Sequence, residues 1–237
     1  MELLSTDKVF EKRSLSSFSS SKEMWDYACN HVFLHRKNEL DTWWGAIEET
    51  SELEYIPEDK FVIEYTFSVY ASGFKASTVA KKFEALLFYH GITNSYVPGA
   101  SIGNHRGNYV PITDATILPA WYQDVFKVFN NRKKAEAIQK LRYLIWSKKY
   151  EHFHNEYVIT RDPIKLQELP YIGPALGFHL ARNLGNKDAV KPDVHLNRLA
   201  NKYGFESAYE MCNKISPAPP AYNDLLLWIA SADLSTR

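Results

Sequence analysis

The stretch Leu169-Pro170-Tyr171-Ile172-Gly173-Pro174-Ala175-Leu176-Gly177-Phe178-His179-Leu180-Ala181-Arg182-Asn183-Leu184-Gly185 is the most informative in the chain. It reads as the end of one helix, a tight hairpin, and a second helix opening at Pro174. A proline at the first helical position costs nothing, because its missing N–H would have no intrahelical partner there. Gly173 is expected to take a positive φ and make the reversal. Leu176, Leu180 and Leu184 recur at i, i+4 and i+8 and are expected in the core. The open amides at the start of such a helix form an anion site suited to one backbone phosphate.

Downstream lies Val190-Lys191-Pro192-Asp193-Val194-His195-Leu196-Asn197-Arg198-Leu199-Ala200. Pro192 and Asp193 sit where a helix must begin, so the Asp193 carboxylate is expected at a helix N-terminus. Taken alone, an N-cap aspartate is a structural feature.

Upstream, helical periodicity dominates. A helix is predicted from about Lys22 to Arg36, carrying Trp25, Ala28, Cys29, Val32 and Phe33. A second is predicted over Asp41 to Glu49 with Asp41 as its N-cap. A third opens near Pro57 and ends near Gly73, and a fourth runs from Ser77 to His90. Gly91 to Thr113 is one long irregular stretch, read as a functional loop or one containing a short hairpin, and it carries His105 and Arg106. Helices resume at about Asp114–Phe129 and Arg132–Lys148, and Asp162-Pro163 opens a short one before Leu169. Strand patterns are scarce, so the fold class is all-α. The first twenty or so residues read as a flexible arm. The expected organisation is residues 1–56 as an N-terminal arm and helical extension packed on a core, and residues 57–237 as that core.

The 237 residues are 45% hydrophobic and 14% aromatic, enough to bury a sizeable core, which excludes disorder for most of the chain. No apolar run is long enough to span a membrane, and the N-terminus has no signal-peptide pattern. Cys29 and Cys212 are the only cysteines, too few for a disulfide framework or a cysteine-ligated cluster, so a reducing, cytoplasmic setting is expected. His152 and His154, two apart on a helix, do not share a face and are not read as metal ligands. No metal and no cofactor is expected.

The net charge of +0 is a cancellation. Residues 127–150 carry Lys127, Arg132, Lys133, Lys134, Lys140, Arg142, Lys148 and Lys149 against Glu136 alone. Residues 39–64 are acidic, with Lys60 as their one cation. A dense basic face is the footprint of a polyanion binder; its competing reading is a solvated helix face.

Together, the Leu-Pro-x-Ile-Gly hairpin and the Pro-Asp-Val-His-x-x-Arg-Leu segment about twenty residues later resemble the helix-hairpin-helix DNA glycosylase superfamily. Phe129–Ile138 is similar to that family's helix before the hairpin, and Tyr222–Trp228 to its last helix. The resemblance spans roughly residues 60–233. It implies two helical lobes flanking a base-binding cleft, a double-stranded DNA partner, a monomeric, nucleoid-associated enzyme, and excision of a flipped base. It makes Asp193 the catalytic carboxylate and places Tyr171, Gly173, Ala175, Lys133, Lys134 and Arg198 on the DNA backbone. Bifunctional members carry a lysine at the position held here by Ala175, so the resemblance implies a monofunctional glycosylase that leaves an abasic site. The position usually held by the first hairpin glycine is Tyr171.

Trp43, Trp44, Glu48 and Tyr65 are candidates for a base pocket, with Glu64 beside them in sequence. Aromatics stack on a flipped base and carboxylates accept from exocyclic amines or hydroxyls. The competing reading makes the tryptophans core and the glutamates solvated. A pocket of this type suits a hypermodified cytosine, such as a glucosylated hydroxymethylcytosine of phage DNA, as in defence glycosylases. Alkylated or oxidised bases are the repair alternative. Two other classes compete: a non-catalytic DNA-binding module and a phage-type base-modifying transferase.

Overall fold

Helix caps and apolar stripes account for the structure. The computed structural model describes residues 13–74, 76–92 and 122–234, and among them every regular element is helical. In chain order these are α1 (Ser21–His35), α2 (Lys37–Ser51), α3 (Glu58–Ala71), α4 (Ala76–Tyr89), α5 (Tyr122–Val128), α6 (Arg132–Lys148), α7 (Tyr150–Phe153), α8 (Pro174–Asn183), α9 (Val194–Lys202), α10 (Ala208–Lys214) and α11 (Pro220–Leu234). Short 3-10 turns lie at Leu15–Ser17 and Lys165–Glu168, and a π turn at His154–Val158. The all-α expectation holds for the described residues. The Gly91–Thr113 loop beyond Ile92, with His105 and Arg106, lies outside them, as does the start of the helix expected from Asp114.

The chain forms two compact units, residues 1–45 with 192–237, and residues 46–191. These divisions fall within α2 and just before Asp193.

In the first unit α1 packs against α11, and α9 and α10 pack on each other and on α11. Ser20 caps α1 by accepting from the Glu23 N–H, and Ser207 caps α10 by accepting from the Glu210 N–H. Ala28 and Val32 of α1 are buried as expected, together with Met24 and His31, whereas Trp25 and Cys29 are half-buried and Phe33 is exposed. Asn223 is fully buried and donates to the Cys212 carbonyl at 2.8 Å and the Ala218 carbonyl at 3.1 Å, fixing the turn between α10 and α11. The helix expected to open at Asp41 starts at Lys37 instead. The Arg36 carbonyl accepts from Glu39 and Leu40, and its guanidinium binds Glu39 and, at 2.7 Å, Asp233. Arg36 thus supplies the first helical acceptor, and Asp41 lies a turn inside, paired with Lys37.

In the second unit α3 is the central element, packed against α4, α6 and α8. Phe61, Val62, Tyr65, Thr66, Phe67, Ser68, Val69 and Tyr70 are all buried. A helix this apolar around its circumference has to sit inside its unit. Asn131 caps α6 by accepting from the Lys134 N–H at 3.2 Å, which fixes the basic helix at the boundary expected from sequence.

Candidate functional site

The hairpin before α8 is built by proline and one strained tyrosine. Pro170 restricts its own φ, the Ile172 N–H donates to the Leu169 carbonyl at 3.1 Å, and Tyr171 takes the left-handed conformation at φ 66°. Gly173, expected to supply the positive φ, has φ −94° and ψ −176°. Pro170 at the second position of the turn leaves the left-handed conformation to the third, and Tyr171 occupies it. The turn is held from below by Tyr65. This residue is fully buried and its hydroxyl donates to the Pro170 carbonyl. Burial pushes its phenol well above the usual tyrosine range. Tyr65, expected in a base pocket, is a buried strut under the hairpin with its hydroxyl engaged by Pro170.

The first turn of α8 receives no side-chain cap. Tyr171 and Gly173 are exposed and Ala175 is half-buried, so this helix start lies at the surface. Leu180 and Leu184 are buried as expected, whereas Leu176 is half-exposed. Gly177 takes the closest contact: a Cβ there would lie 2.4 Å from the Pro163 carbonyl oxygen. That glycine lets α8 press onto the chain leading into the 3-10 turn before the hairpin.

The adjacent lysines of α6 have opposite fates. Lys133 is exposed. Lys134 is only 1% exposed, and its ammonium donates to the carbonyls of Tyr70, at 2.8 Å, and Ser72 at the end of α3. The rings of Phe74, Phe129 and Tyr171 lie 4.6, 5.7 and 6.0 Å from its Nζ. Burial lowers its pKa to about 8. Lys134, expected on the DNA backbone, has its ammonium turned inward onto the end of α3. Its sequence neighbour gave no hint of this, because a run of cations does not reveal which one points inward.

Asp193 stands where the sequence placed it. It has extended backbone, φ −85° and ψ 166°, and its Oδ1 accepts from the Leu196 N–H at 2.9 Å, capping α9. The carboxylate is half-buried. Leu196, Leu199 and Ala200 turn inward, while Val194, His195 and Arg198 are exposed.

Trp43 and Trp44 are half-buried on α2, with Trp44 edge-on to Tyr222 at 5.1 Å between ring centroids. Glu48 is exposed. Glu64, by contrast, is drawn into the second unit: its carboxylate accepts from Asn183 Nδ2 at 3.0 Å, and burial raises its pKa. His179, Arg182 and Asn183, all buried on α8, were not anticipated. Their signal was present as three polar residues at i, i+3 and i+4 within an otherwise apolar helix.

Comparison of the chain with protein-family models, with curated proteins and with solved structures found no match.

Proposed function

We propose that the chain is a monofunctional DNA N-glycosylase with Asp193 as its catalytic carboxylate. The observation that carries this reading is the position of Asp193. It is a partly accessible carboxylate held by its own helix start, in the sequence context that resembles the glycosylase aspartate. The exposed, uncapped start of α8 supports it as a phosphate contact. Exposed Lys133 and Lys140 on α6 and Arg198 on α9 supply cations for further backbone contacts.

In this reading the enzyme extrudes one nucleotide, at a cost of a few kcal/mol that is smallest for a poorly stacked base. As the bond between C1′ and the base nitrogen breaks, positive charge develops on the sugar and the Asp193 carboxylate stabilises it. That interaction strengthens only as the charge forms, so it lowers the barrier. Water then bonds to C1′, its proton leaves, the base departs protonated at the released nitrogen, and the strand stays intact. Ala175 offers no amine for a Schiff base, so no strand cleavage follows. The aromatic and acidic composition around Trp43, Trp44 and Glu48 favours a cytosine bearing a polar or sugar substituent.

The test is an abasic-site assay with wild type and Asp193→Asn. The DNA panel is unmodified, alkylated, oxidised, deaminated or glucosyl-hydroxymethylcytosine-bearing. Asp193-dependent abasic sites on the glucosylated DNA are expected. Abasic sites on the alkylated or oxidised DNA instead would make this a repair enzyme. Binding without abasic sites on any member would leave a DNA-binding module. A modified base appearing only with an added co-substrate would indicate a transferase.

A further inference from the structure

The polar groups packed between α3 and α8 have a chemistry that their structural duties do not use up. Arg182 Nη2 lies 3.1 Å from His179 Nδ1. A guanidinium only donates, so Nδ1 must be the acceptor and the imidazole proton sits on Nε2. Nε2 is therefore a fixed donor. It is buried and has no hydrogen-bond partner, and His179 as a whole is 8% exposed. Burial, with Arg182 and Lys191 nearby, holds this imidazole well below its usual range, so it stays neutral.

One turn further along the same face, Asn183 spends its Nδ2 on Glu64, which leaves Oδ1 as a buried acceptor with no partner. Asn183 is 6% exposed. Glu64 is half-buried, and Lys60 one turn before it on α3 is half-exposed, so the cluster reaches the surface at this edge. A buried donor and a buried acceptor left unpaired both oppose folding. One turn apart on α8, they fit a ligand that presents an acceptor next to a donor.

We propose that His179, Asn183 and Glu64 form a nucleobase-reading site, with the His179 Nε2–H donating to a ring nitrogen or carbonyl and Asn183 Oδ1 accepting from an adjacent N–H. Glu64 orients the Asn183 amide and contacts the neighbouring exocyclic group. The choice of a base as ligand rests on the glycosylase reading; the donor and acceptor assignment does not. The Watson–Crick edge of every nucleobase carries an acceptor beside an N–H donor, and a purely apolar ligand would leave both buried groups unpaired.

The experiment is calorimetric titration of the full chain, without DNA, with free cytosine, 5-hydroxymethylcytosine, adenine and uracil. At least one is expected to bind, and Glu64→Gln and His179→Phe are each expected to weaken it tenfold or more. Glu64→Gln is close to isosteric and decides alone if His179→Phe does not fold. The proposal is overturned if no base binds wild type, or if both variants bind as wild type does. The abasic-site assay separates the two readings. Abasic sites without any free-base binding would keep the reaction and remove this site. Base binding lost in the variants, with no abasic sites on any DNA, would keep the site and remove the reaction.

Discussion

α8 and α9 both open just after a proline-bearing segment, yet their first turns are chemically opposite. α8 begins at Gly173-Pro174 with no side chain on its amides, and nothing acidic in its first turn. α9 begins with Asp193, whose carboxylate accepts from the Leu196 N–H. The positive end of a helix dipole is thus left open to an outside anion in one case and answered by an internal one in the other. The first arrangement leaves amides open to a phosphate; the second places a carboxylate of the chain itself on those amides.

The largest effect is expected at Asp193. Asparagine caps a helix about as well as aspartate, so Asp193→Asn should keep thermal stability within about 0.5 kcal/mol while losing the charge. Base excision should fall about 10²- to 10³-fold, the scale of removing one electrostatic contact to a transition state. Asp193→Ala should show the same rate loss plus about 1 kcal/mol of destabilisation from the missing cap. If Asn and wild type excise equally, α9's first turn is structural only.

Next is the seating of α8. Gly177→Ala places a methyl 2.4 Å from the Pro163 carbonyl oxygen, a backbone atom that cannot step aside alone. A loss of about 2 kcal/mol is expected in chemical denaturation, with weaker DNA binding because the helix start shifts. Gly173→Ala meets nothing within 4 Å and has an ordinary φ, so it should cost no more than about 1 kcal/mol. This pair shows how far the sequence could be read. The helix start at Pro174 and the Asp193 cap followed from local rules, since proline and aspartate carry their preferences with them. The need for glycine at 177 did not, because the clash comes from Pro163, and only the packing brings that carbonyl in. Similarly, Tyr65 and Lys134 carry no local mark of being buried struts. An amphipathic side chain next to surface-type neighbours reads as surface until the facing helix is known. Most helices were legible in the sequence, but α7 and α10 were not, and the start of α2 was set by Arg36, whose guanidinium is held by Asp233, distant in sequence.

The lysine pair gives a smaller and two-sided test. Lys134→Met removes the donor that satisfies the Tyr70 and Ser72 carbonyls and should cost about 1–3 kcal/mol, with the salt dependence of DNA binding unchanged. Lys133→Gln should leave stability alone and reduce the slope of log K against log salt by about 0.9 if it meets one phosphate. The two lysines also separate by pH. The folded-state pKa of Lys134 is lowered to about 8, below that of an unfolded lysine, so the unfolded chain binds more protons between these values. Stability should therefore rise as pH increases from about 8 toward 10. The part of this rise due to Lys134 should be absent in Lys134→Met and retained in Lys133→Gln. Equal profiles in both variants would place the titration elsewhere.

The smallest effect, and the most discriminating for the hairpin, is Tyr171→Gly. A non-glycine residue at φ 66° carries about 1–2 kcal/mol of steric cost, and glycine removes it. Glycine also adds about 0.5–1 kcal/mol of unfolded-chain entropy, and the Tyr171 ring beside Lys134 is lost. The balance is a gain of about 0.5 kcal/mol, readable as a small rise in melting temperature. Because Tyr171 is 40% exposed at the uncapped start of α8, a ring that rests on DNA would show itself separately. Tyr171→Gly would then fold more stably and bind duplex DNA more weakly. If stability rises and binding is unchanged, the ring is not part of the DNA contact, and the open amides of α8 carry that end of the interface without it. If stability falls, the ring's packing on Lys134 outweighs the backbone strain, and the tyrosine holds the hairpin through the same buried cation that caps α3.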